Sequence, residues 1–466
     1  MLYATAPAEL TGSARHVLGI LAWMSVWWLT EVIPLAATAL LPIVLFPALG
    51  VASTRETVVP YASDLIFLFL AGFLLAASLQ HWRPHARIAY GMVHAIGTSA
   101  RRIVFGVMLA TALISLWISN TATTAMMYPI TLAIGDIFGE GDDARKLRTA
   151  LMLGVGYAAT IGGMGTLIGT PPNLIFAGAA RELTGREVSF FQFSMIGLPI
   201  VVVLLPACWA LLVLVLFRGR VAMGDEARAM LEEKRRSLGR LCGGERMVLA
   251  VFILTALAWL FRERKEIGGL VIPGIVDVVP AATDAWIGIT GALLLFVLTG
   301  TRQDGGREPL LTWNQAREIP WGVLLLFGGS LSLAAAMEST GLARWMGGLM
   351  TALDGYPPLV IFTGLALIVL LLSELASNSA VAAMAMPVAA TLGTVVGLDP
   401  LALMIVATLA ASTGFALPVA TPPNAIVFGS GQISVKQMAT AGVLLDLLAI
   451  AIIVLLVSLL YPAVFG

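Results

Sequence analysis

Apolar runs long enough to enter or cross a lipid bilayer recur along the whole chain. The hydrocarbon core of a bilayer is roughly 30 Å thick, and inside it every backbone polar group must be satisfied within the protein, as in an α-helix. The sequence therefore predicts an all-α polytopic membrane protein. The runs are Val17–Leu29, Leu65–Leu79, Phe190–Phe217, Met247–Phe261, Trp286–Thr299, Trp321–Met337, Val360–Leu372 and Ala439–Leu460.

Charge is scarce and balanced in this chain. Of its 466 residues, 12% are Asp, Glu, Lys or Arg, whereas a soluble domain holds about 25%. The formal net charge is zero, so the composition gives no sign of a nucleic-acid partner. Cys208 lies in an apolar run and Cys242 in a charged loop, and we interpret both as free thiols. The first apolar run lacks the preceding basic region and cleavage site of a signal peptide.

The two halves of the chain are related in sequence. A shift of 258 positions places SLWISNTATTAMMYP, which begins at Ser115, on SELASNSAVAAMAMP, which begins at Ser373. A second motif, TPPN, occurs at Thr170–Asn173 and again at Thr421–Asn424, a shift of 251. Two matches in the same order predict an internal repeat, a common feature of secondary transporters.

The charges of corresponding loops predict that the repeats are inverted. The loop His81–Arg102 carries four arginines and no acid, whereas Glu338–Leu359 carries one arginine and two acids. The positive-inside rule places the first loop in the cytoplasm and the second outside. It also places the basic linker Arg218–Arg246 in the cytoplasm. The basic residues that oppose this scheme are Arg262, Arg264 and Lys265.

The duplicated motifs predict interruptions in membrane helices. Each Ser-Asn pair follows an apolar segment that looks too short for a full crossing and precedes another, so we predict two re-entrant helical hairpins. The double proline of each TPPN removes two backbone donors and predicts a broken helix. Free carbonyls at such helix ends bind small hard cations, and free N–H groups bind anions. The hairpin segments are Ile103–Ile118, Thr121–Ile137, Val360–Ala376 and Ser379–Val396.

Basic side chains are missing from the segments that hold these motifs. No Lys or Arg lies in Ile103–Gly139, Thr149–Ala180, Pro358–Leu392 or Leu401–Val435. A bound dianion would need other charge balance, and helix dipoles supply only about half a charge each. Sodium ions bound to the hairpin carbonyls would complete the neutralisation of the dianion. They would also explain how its transport is coupled to sodium.

Other titratable groups have simpler interpretations. Glu374 is the only formal charge near either tip, and a structural hydrogen-bonding role is favoured over direct cation ligation. His81 and His85 could share a metal, but an interfacial basic segment is favoured because no third ligand is evident. The sequence shows no activated nucleophile or metal set near the tips, so we expect no enzymatic activity.

The sequence resembles the divalent anion/sodium symporter family, whose members transport dicarboxylates, citrate and sulfate. The resemblance covers nearly the whole chain and rests on WWLTEVIP (27–34), both Ser-Asn motifs, both TPPN motifs and ASTGFALPVATPPNAIV (411–427). It implies a homodimer of inverted-repeat subunits that work by an elevator movement. The implied divisions are 1–217 for the first repeat (scaffold 14–80, interfacial arm 81–100, transport part 101–217), 218–246 for the linker, and 247–466 for the second repeat (scaffold 247–337, arm 338–357, transport part 358–466).

The resemblance also implies two sodium sites and a substrate site. The first sodium site would comprise Ser115, Ser119, Asn120 and Gly169, and the second Ser373, Ser377, Asn378 and Ala420. The substrate's carboxylates would meet Asn120, Thr121, Asn378, Ser379, Thr421 and Pro422, with Thr170 and Pro171 as weaker candidates.

The chain departs from the family pattern in two places. Its second motif reads Ser-Asn-Ser, where the best-matched dicarboxylate carriers end in threonine, so the choice between carboxylates and sulfate stays open. It also starts at what would be the family's second helix, so the first helix is missing or lies upstream.

The leading expectation is sodium-coupled symport of a C4-dicarboxylate such as succinate, malate or fumarate. The alternatives are sodium-independent dicarboxylate exchange, and sodium-coupled sulfate or citrate transport. Sodium would be the coupling ion, no organic cofactor is expected, and the partners would be membrane lipid and a second copy of the chain. The short loops favour a bacterial inner membrane.

Overall fold

The computed structural model describes residues 10–466 except 98, 220, 222–228, 230, 231, 234, 235, 268 and 269. That part of the chain is mostly helical, as the sequence predicts. Part of the predicted basic linker, including Arg220, Arg228, Lys234 and Arg235, lies outside the described residues. Seven described helical segments are long and apolar enough to cross a membrane: Thr54–Trp82, Phe190–Leu216, Gly243–Leu260, Trp321–Ser339, Pro358–Leu375, Asn378–Val395 and Val435–Phe465.

The first half of the chain forms helices α1 to α11, and its predicted apolar runs lie within them. The helices are α1 (Gly12–Thr30), α2 (Leu35–Thr38), α3 (Leu41–Ala48), α4 (Thr54–Val58), α5 (Asp64–Trp82), α6 (Pro84–Ile96), α7 (Ala100–Ser115), α8 (Asn120–Asp136), α9 (Asp142–Gly163), α10 (Pro171–Thr184) and α11 (Phe190–Ala210). A π-helical turn, Leu211–Leu216, extends α11 to nearly the end of its predicted run.

The second half forms helices α12 to α21. They are α12 (Gly243–Leu260), α13 (Asp284–Val297), α14 (Trp313–Ala316), α15 (Trp321–Ser339), α16 (Leu342–Gly348), α17 (Pro358–Leu375), α18 (Asn378–Val395), α19 (Pro400–Ala411), α20 (Pro422–Phe428) and α21 (Val435–Phe465). The run Trp286–Thr299 forms a shorter helix than the others, because α13 has only 14 residues. At 1.5 Å per residue it is about 21 Å long.

Two short β-hairpins qualify the all-α prediction. Strands β1 (Lys265–Ile267) and β2 (Leu270–Ile272) pair antiparallel, with Lys265 facing Ile272. Strands β3 (Thr299–Thr301) and β4 (Arg307–Pro309) pair in the same way after α13. The second hairpin closes through Gly305, whose φ of 86° is accessible to glycine without strain. Both hairpins lie in connections between helices and leave the helical architecture unchanged.

Serine and proline side chains set the helix starts around the interruptions. Ser119 caps α8 by accepting a hydrogen bond from the N–H of Ala122, which satisfies one free donor at that helix end. Pro171 and Pro172 occupy the first two positions of α10. A missing N–H costs little there, because the first N–H groups of a helix have no partner within it. The duplicated motifs therefore begin new helices after breaks, as predicted.

One expectation about the hairpins is wrong in its premise. Helices α17 and α18 have 18 residues each, and both are long enough to cross a membrane by length and composition. In the other pair, α7 has 16 residues and α8 has 17. Length alone therefore does not distinguish a re-entrant hairpin from two full crossings, and the re-entrant arrangement stays a prediction.

The two halves interlock around the helix breaks. Helix α10 of the first half packs on α18 and α19 of the second, and α20 of the second half packs on α8 and α9 of the first. The hydroxyl of Tyr157 in α9 donates a hydrogen bond to the backbone oxygen of Phe415, 3.0 Å away in the second break. The two tips and the two breaks therefore belong to one packed body.

A second group of helices adjoins this body. Helices α5, α12 and α13 pack on one another, and α6 packs on α7. Arg87 in α6 donates to the Glu245 carboxylate at the start of α12, with an Nε–Oε1 distance of 2.8 Å. It also donates to the backbone oxygens of Leu238 and Gly239. These bonds tie the predicted arm to a predicted scaffold helix, and the domain boundaries remain predictions.

Candidate functional site

A cavity of about 1300 Å³ lies where the two Ser-Asn tips and the two TPPN segments meet. Further wall residues come from α1, α5 and the segment 315–323. The tip and break residues that line the cavity are Ser119, Asn120, Thr121, Ala122, Ala125, Thr170, Pro171, Pro172, Leu375, Ala376, Ser377, Asn378, Ser379, Val419, Ala420, Thr421, Pro422, Pro423 and Ala425. Motifs that are far apart in sequence therefore surround one space.

The predicted site residues are divided between the cavity surface and the layer behind it. All eight predicted substrate residues line the cavity, as do Ser119, Ser377 and Ala420 among the predicted sodium ligands. The remaining predicted ligands, Ser115, Gly169 and Ser373, are buried behind that surface. The arrangement brings the predicted residues together, and their roles remain predictions.

The first tip holds a compact group of oxygen atoms. The Ser115 hydroxyl lies 2.9 Å from Asn120 Oδ1 and 2.6 Å from the backbone oxygen of Ala159. Gly163 makes room for the amide, since a Cβ there would lie 2.2 Å from Asn120 Oδ1. Gly169 packs in turn on Gly163, whose backbone oxygen would be 2.5 Å from a Cβ at position 169. Three of the four predicted ligands of the first sodium site are thus neighbours.

The second tip repeats this arrangement. The Ser373 hydroxyl lies 2.7 Å from both Asn378 Oδ1 and the backbone oxygen of Ala411. Gly414 lies among the predicted ligands, because a Cβ there would be 3.5 Å from the backbone oxygen of Ser373 and 3.7 Å from Ala420 Cβ. Its φ of 131° also favours glycine. The sequence shift of 258 therefore corresponds to a repeated local geometry.

These oxygen groups suit a small hard cation. A serine hydroxyl has one hydrogen and can donate it to only one of its two oxygen neighbours. Each tip therefore places more acceptor oxygens than hydrogens around a fully buried hydroxyl, and an acceptor left unpaired beside it costs free energy. Neutral oxygen atoms from side chains and interrupted helices are the ligands that bind sodium in transporters with broken helices.

The electrostatics of the cavity favour an anion only in part. Helices α8, α10 and α18 begin at cavity residues, and the free N–H groups of a helix start carry partial positive charge. Among the described residues that line the cavity there is no Lys or Arg, and the titratable ones are Glu31, His81 and Glu318. A dianion in this space would therefore lack a lysine or arginine side chain to balance it.

Asp446 is a buried acid that the sequence analysis missed. It lies in α21, is 4% exposed, and its carboxylate accepts hydrogen bonds from the N–H groups of Gly414 and Phe415 at 3.3 and 3.2 Å. Glu374 accepts from the next two N–H groups, of Ala416 and Leu417, at 2.9 and 3.1 Å. These bonds agree with the structural role favoured for Glu374. The expectation that Glu374 is the only formal charge near a tip is wrong.

A signal for Asp446 was present in the sequence. It is an ionisable residue within the apolar run Ala439–Leu460, and such residues in membrane helices commonly serve a function or have a dedicated partner. Its partners are backbone groups 31 and 32 residues earlier in the chain. Sequence spacing does not reveal that contact, because it depends on the packing of α21 against the second break.

Glu31 is another residue of the cavity that sequence reasoning did not assign to it. It follows α1 with φ 48° and ψ 37°, a left-handed conformation that is uncommon for a residue with a Cβ. It belongs to the WWLTEVIP motif, whose Trp28 donates from Nε1 to the Leu35 backbone oxygen at 3.3 Å. The motif therefore forms a fixed turn at the wall of the cavity.

Comparison with known proteins agrees with this geometry. The family model described as "Sodium:sulfate symporter transmembrane region" matches residues 1–466. The chain belongs to this family. It is 40% identical to the sodium-dependent dicarboxylate transporter SdcS of Staphylococcus saprophyticus over 99% of this chain and 88% of that one. SdcS of Staphylococcus aureus strain RF122 gives the same identity and the same coverage. The resemblance inferred from the motifs is thereby confirmed.

Solved structures of more distant transporters share the fold. The Alcanivorax borkumensis YdaH transporter superposes with a TM-score of 0.57 at 16% identity, covering 86% of this chain and 85% of that one. Neisseria gonorrhoeae MtrF superposes with a TM-score of 0.60 at 12% identity, covering 98% and 96%. Together with the apolar helices, family membership makes this chain a multi-pass plasma-membrane transport protein.

Proposed function

We propose that the protein is a sodium-coupled symporter of C4-dicarboxylates such as succinate, malate or fumarate. The observation that carries this proposal is a cavity lined by both Ser-Asn tips and both TPPN segments that holds no Lys or Arg among its described lining residues. A dianion needs cationic balance there, and each tip offers a buried group of neutral oxygens beside the cavity. The sodium-dependent dicarboxylate transporters that are 40% identical support the same assignment.

The proposed sodium sites lie behind the two tips. The first uses Ser115, Ser119, Asn120 and Gly169, and the second uses Ser373, Ser377, Asn378 and Ala420. Asn120 and Asn378 are each proposed to serve both ligands, with the amide oxygen toward the cation and the amide N–H toward the substrate. This division fits the first tip, where Asn120 Nδ2 lies on the side of Thr170 Oγ1, 3.4 Å away. One side chain would then couple cation and substrate binding directly.

The proposed substrate site lies on the cavity side of the same residues. The carboxylates would accept hydrogen bonds from hydroxyl and amide groups and would lie near the starts of α8, α10 and α18, where helix N–H groups favour anions. The proposed contacts are Asn120, Thr121, Asn378, Ser379, Thr421 and Pro422, with Thr170 and Pro171 contributing less.

The proposed movement is an elevator motion of the hairpins and broken helices against a scaffold. The interlocking of α10 with α18 and of α20 with α8 supports a single moving body. Under this proposal the repeats are inverted, residues 81–100 and 338–357 are arms, and two subunits join through their scaffolds. No chemical step is involved, and sodium is the only coupling partner besides the substrate.

Uptake of labelled succinate into proteoliposomes tests this proposal. Sodium-dependent accumulation in empty vesicles is the expected result. Uptake only into succinate-loaded vesicles, indifferent to replacement of sodium by potassium, would instead establish an exchanger. If sodium-dependent uptake occurs with sulfate or citrate but not with succinate, the substrate assignment is wrong while the coupling stands.

A further inference from the structure

The asparagine that ends each TPPN motif has the same set of contacts in both halves of the chain. Asn173 and Asn424 are 251 positions apart, occupy the third position of α10 and α20, and are fully buried. Neither lines the cavity. Their side chains are therefore not placed to meet the substrate, and their function must lie behind the cavity surface.

In the first half, Asn173 holds the break that precedes its own helix. Its Nδ2 donates to the backbone oxygens of Gly163 and Thr166, at 3.0 and 2.7 Å. Both hydrogens of the amide are thereby used on carbonyls ten and seven residues earlier. The bonds close a loop between the end of α9 and the start of α10, which contains Gly169.

In the second half, Asn424 makes the equivalent bonds. Its Nδ2 donates to the backbone oxygens of Gly414 and Leu417, both at 3.0 Å. These carbonyls are again ten and seven residues earlier, and each acceptor is 251 positions after its counterpart in the first half. Identical spacing in two different sequence contexts indicates a requirement of the loop rather than a chance contact.

The first acceptor in each half touches the proposed cation ligands. Gly163 packs against the Asn120 amide oxygen and against Gly169, and Gly414 packs against Ser373 and Ala420. Each asparagine therefore fixes a glycine whose position determines how closely the ligands approach one another. Loss of its two hydrogen bonds would remove the side-chain donor from the Gly163 or Gly414 oxygen and leave the Thr166 or Leu417 oxygen with its bond to the N–H of Gly169 or Ala420, so the loop would be held less firmly.

The remaining atom of each side chain is also informative. The Oδ1 atoms of Asn173 and Asn424 have no hydrogen-bond donor among the described residues and are fully enclosed. A hydrophobic residue would avoid the cost of the unpaired oxygen but would make neither N–H bond. An aspartate would also make neither, because its side chain has no N–H to donate. The two positions therefore keep an amide for its donors.

We propose that Asn173 and Asn424 are positioning residues of the two cation sites. They act through Gly163 and Gly414 and touch neither sodium nor substrate. The proposal rests on the proposed sodium coupling and deepens it by separating residues that bind the cation from residues that hold its site in shape. Their loss should weaken sodium binding more than substrate binding.

Sodium titrations of succinate uptake in proteoliposomes test the proposal. Asn173→Leu and Asn424→Leu keep the approximate shape and remove both donors. We expect the sodium concentration for half-maximal uptake to rise about tenfold or more, as for residues that orient metal ligands. The KM for succinate at saturating sodium should stay close to that of the wild type. Asn173→Ser and Asn424→Ser provide milder changes if a leucine variant does not fold.

A matched control and a second readout separate positioning from folding. Thr131→Val removes a buried hydroxyl whose one hydrogen bond among the described residues lies within α8, to the Met127 oxygen, and should leave the sodium dependence unchanged. In thermal unfolding of the purified proteins, sodium should stabilise the wild type and Thr131→Val more than either asparagine variant.

Two results would overturn the proposal in distinguishable ways. If the asparagine variants lose maximal rate or thermal stability equally in sodium and potassium, with an unchanged sodium dependence, their role is structural only. If the wild type itself takes up succinate without regard to sodium, the proposed function fails, and the positioning role fails with it.

Discussion

At the scale of single residues, the site is built from neutral polar groups in an apolar setting. Ser115 and Ser373 are completely buried, yet each hydroxyl has two oxygen neighbours within 2.9 Å. Burying unpaired acceptors is unfavourable unless a partner compensates for it. In the proposed function, a cation between such oxygens would supply that compensation and would place positive charge next to the substrate's carboxylates. Neutral ligands would then allow a dianion to bind without a lysine or arginine.

Ser379 is the residue at which substrate choice should be adjustable. It lines the cavity at the second tip, where its counterpart at the first tip is Thr121. We predict that Ser379→Thr, which keeps the hydroxyl and adds a methyl group, narrows the pocket around a dicarboxylate. The ratio of kcat/KM for succinate to that for sulfate should change by roughly tenfold, the effect of one methyl group in a pocket, in favour of succinate.

The same change outside the cavity provides the control. Ser339→Thr lies at the end of α15, and within the described part of the chain the Ser339 hydroxyl bonds to the Ala336 oxygen alone. Competition of unlabelled succinate and unlabelled sulfate against uptake of labelled succinate measures the preference between the two substrates in both variants. An unchanged preference in Ser379→Thr would show that this position does not contact the substrate.

At the scale of elements, the second break is fixed by acidic side chains. Asp446 and Glu374 together accept from four consecutive N–H groups, 414–417. We predict that Asp446→Leu, which leaves two of these buried groups without a partner, lowers the free energy of unfolding by about 2 kcal/mol or more. Thermal unfolding in detergent measures the loss.

An exposed acid serves as the comparison for Asp446. Asp354→Leu makes the same chemical change in an exposed loop and should leave stability nearly unchanged. Equal unfolding temperatures for Asp446→Leu and the wild type would mean that the break does not depend on the carboxylate.

The breaks also show what the sequence could and could not predict. The Ser-Asn and TPPN motifs located both tips and both helix starts, because the Ser119 cap and the double prolines act on their immediate neighbours. The contacts of Asp446 with residues 31 and 32 positions earlier depend on tertiary packing, and they were missed. The predicted segments Val360–Ala376 and Ser379–Val396 nearly match α17 and α18, and the error was to judge such lengths too short for a full crossing. The 251-residue shift showed that Asn173 and Asn424 correspond to each other, but it did not show the hydrogen bonds that both make.

Helix α6, in the proposed arm, should make stability depend on pH through His85. Burial, together with the smaller effect of the positive charge of Arg83, lowers the pKa of His85 from 6.5 to about 4. The unfolded chain therefore binds a proton at a pH where the folded chain does not. The contribution of neutral His85 to the free energy of unfolding is fully present above about pH 6.5 and is lost as the pH falls toward 4. At pH 5 the loss is roughly 2 kcal/mol.

Substitution of the histidine should remove this component. The difference between the unfolding temperatures at pH 7.5 and pH 5 should be smaller in His85→Gln than in the wild type. His94→Gln, at an exposed position of the same helix, is the control and should behave as the wild type does. A wild-type decline that persists unchanged in His85→Gln would assign the pH dependence to other groups.

At the scale of the whole molecule, the interlocked halves place both tips and both breaks in one packed body. Helix α20 packs on the first hairpin and α10 on the second, so each tip is held by elements of both halves. Trp117, beside the first tip, stacks on Phe190 of α11 with ring centroids 5.7 Å apart, and Phe190 stacks on Trp259 of α12 at 5.0 Å. Aromatic contacts therefore connect the first tip with α11 and α12.

Equilibrium binding of labelled succinate to the purified protein tests the central claim most directly. The claim is that sodium at the two tips provides the charge balance that the cavity walls lack. Measured at equal ionic strength, succinate should bind at least about tenfold more tightly in sodium than in potassium, a typical coupling between two ligands. Equal affinity in the two salts would contradict the account, because the cavity would then hold a dianion without its proposed cations.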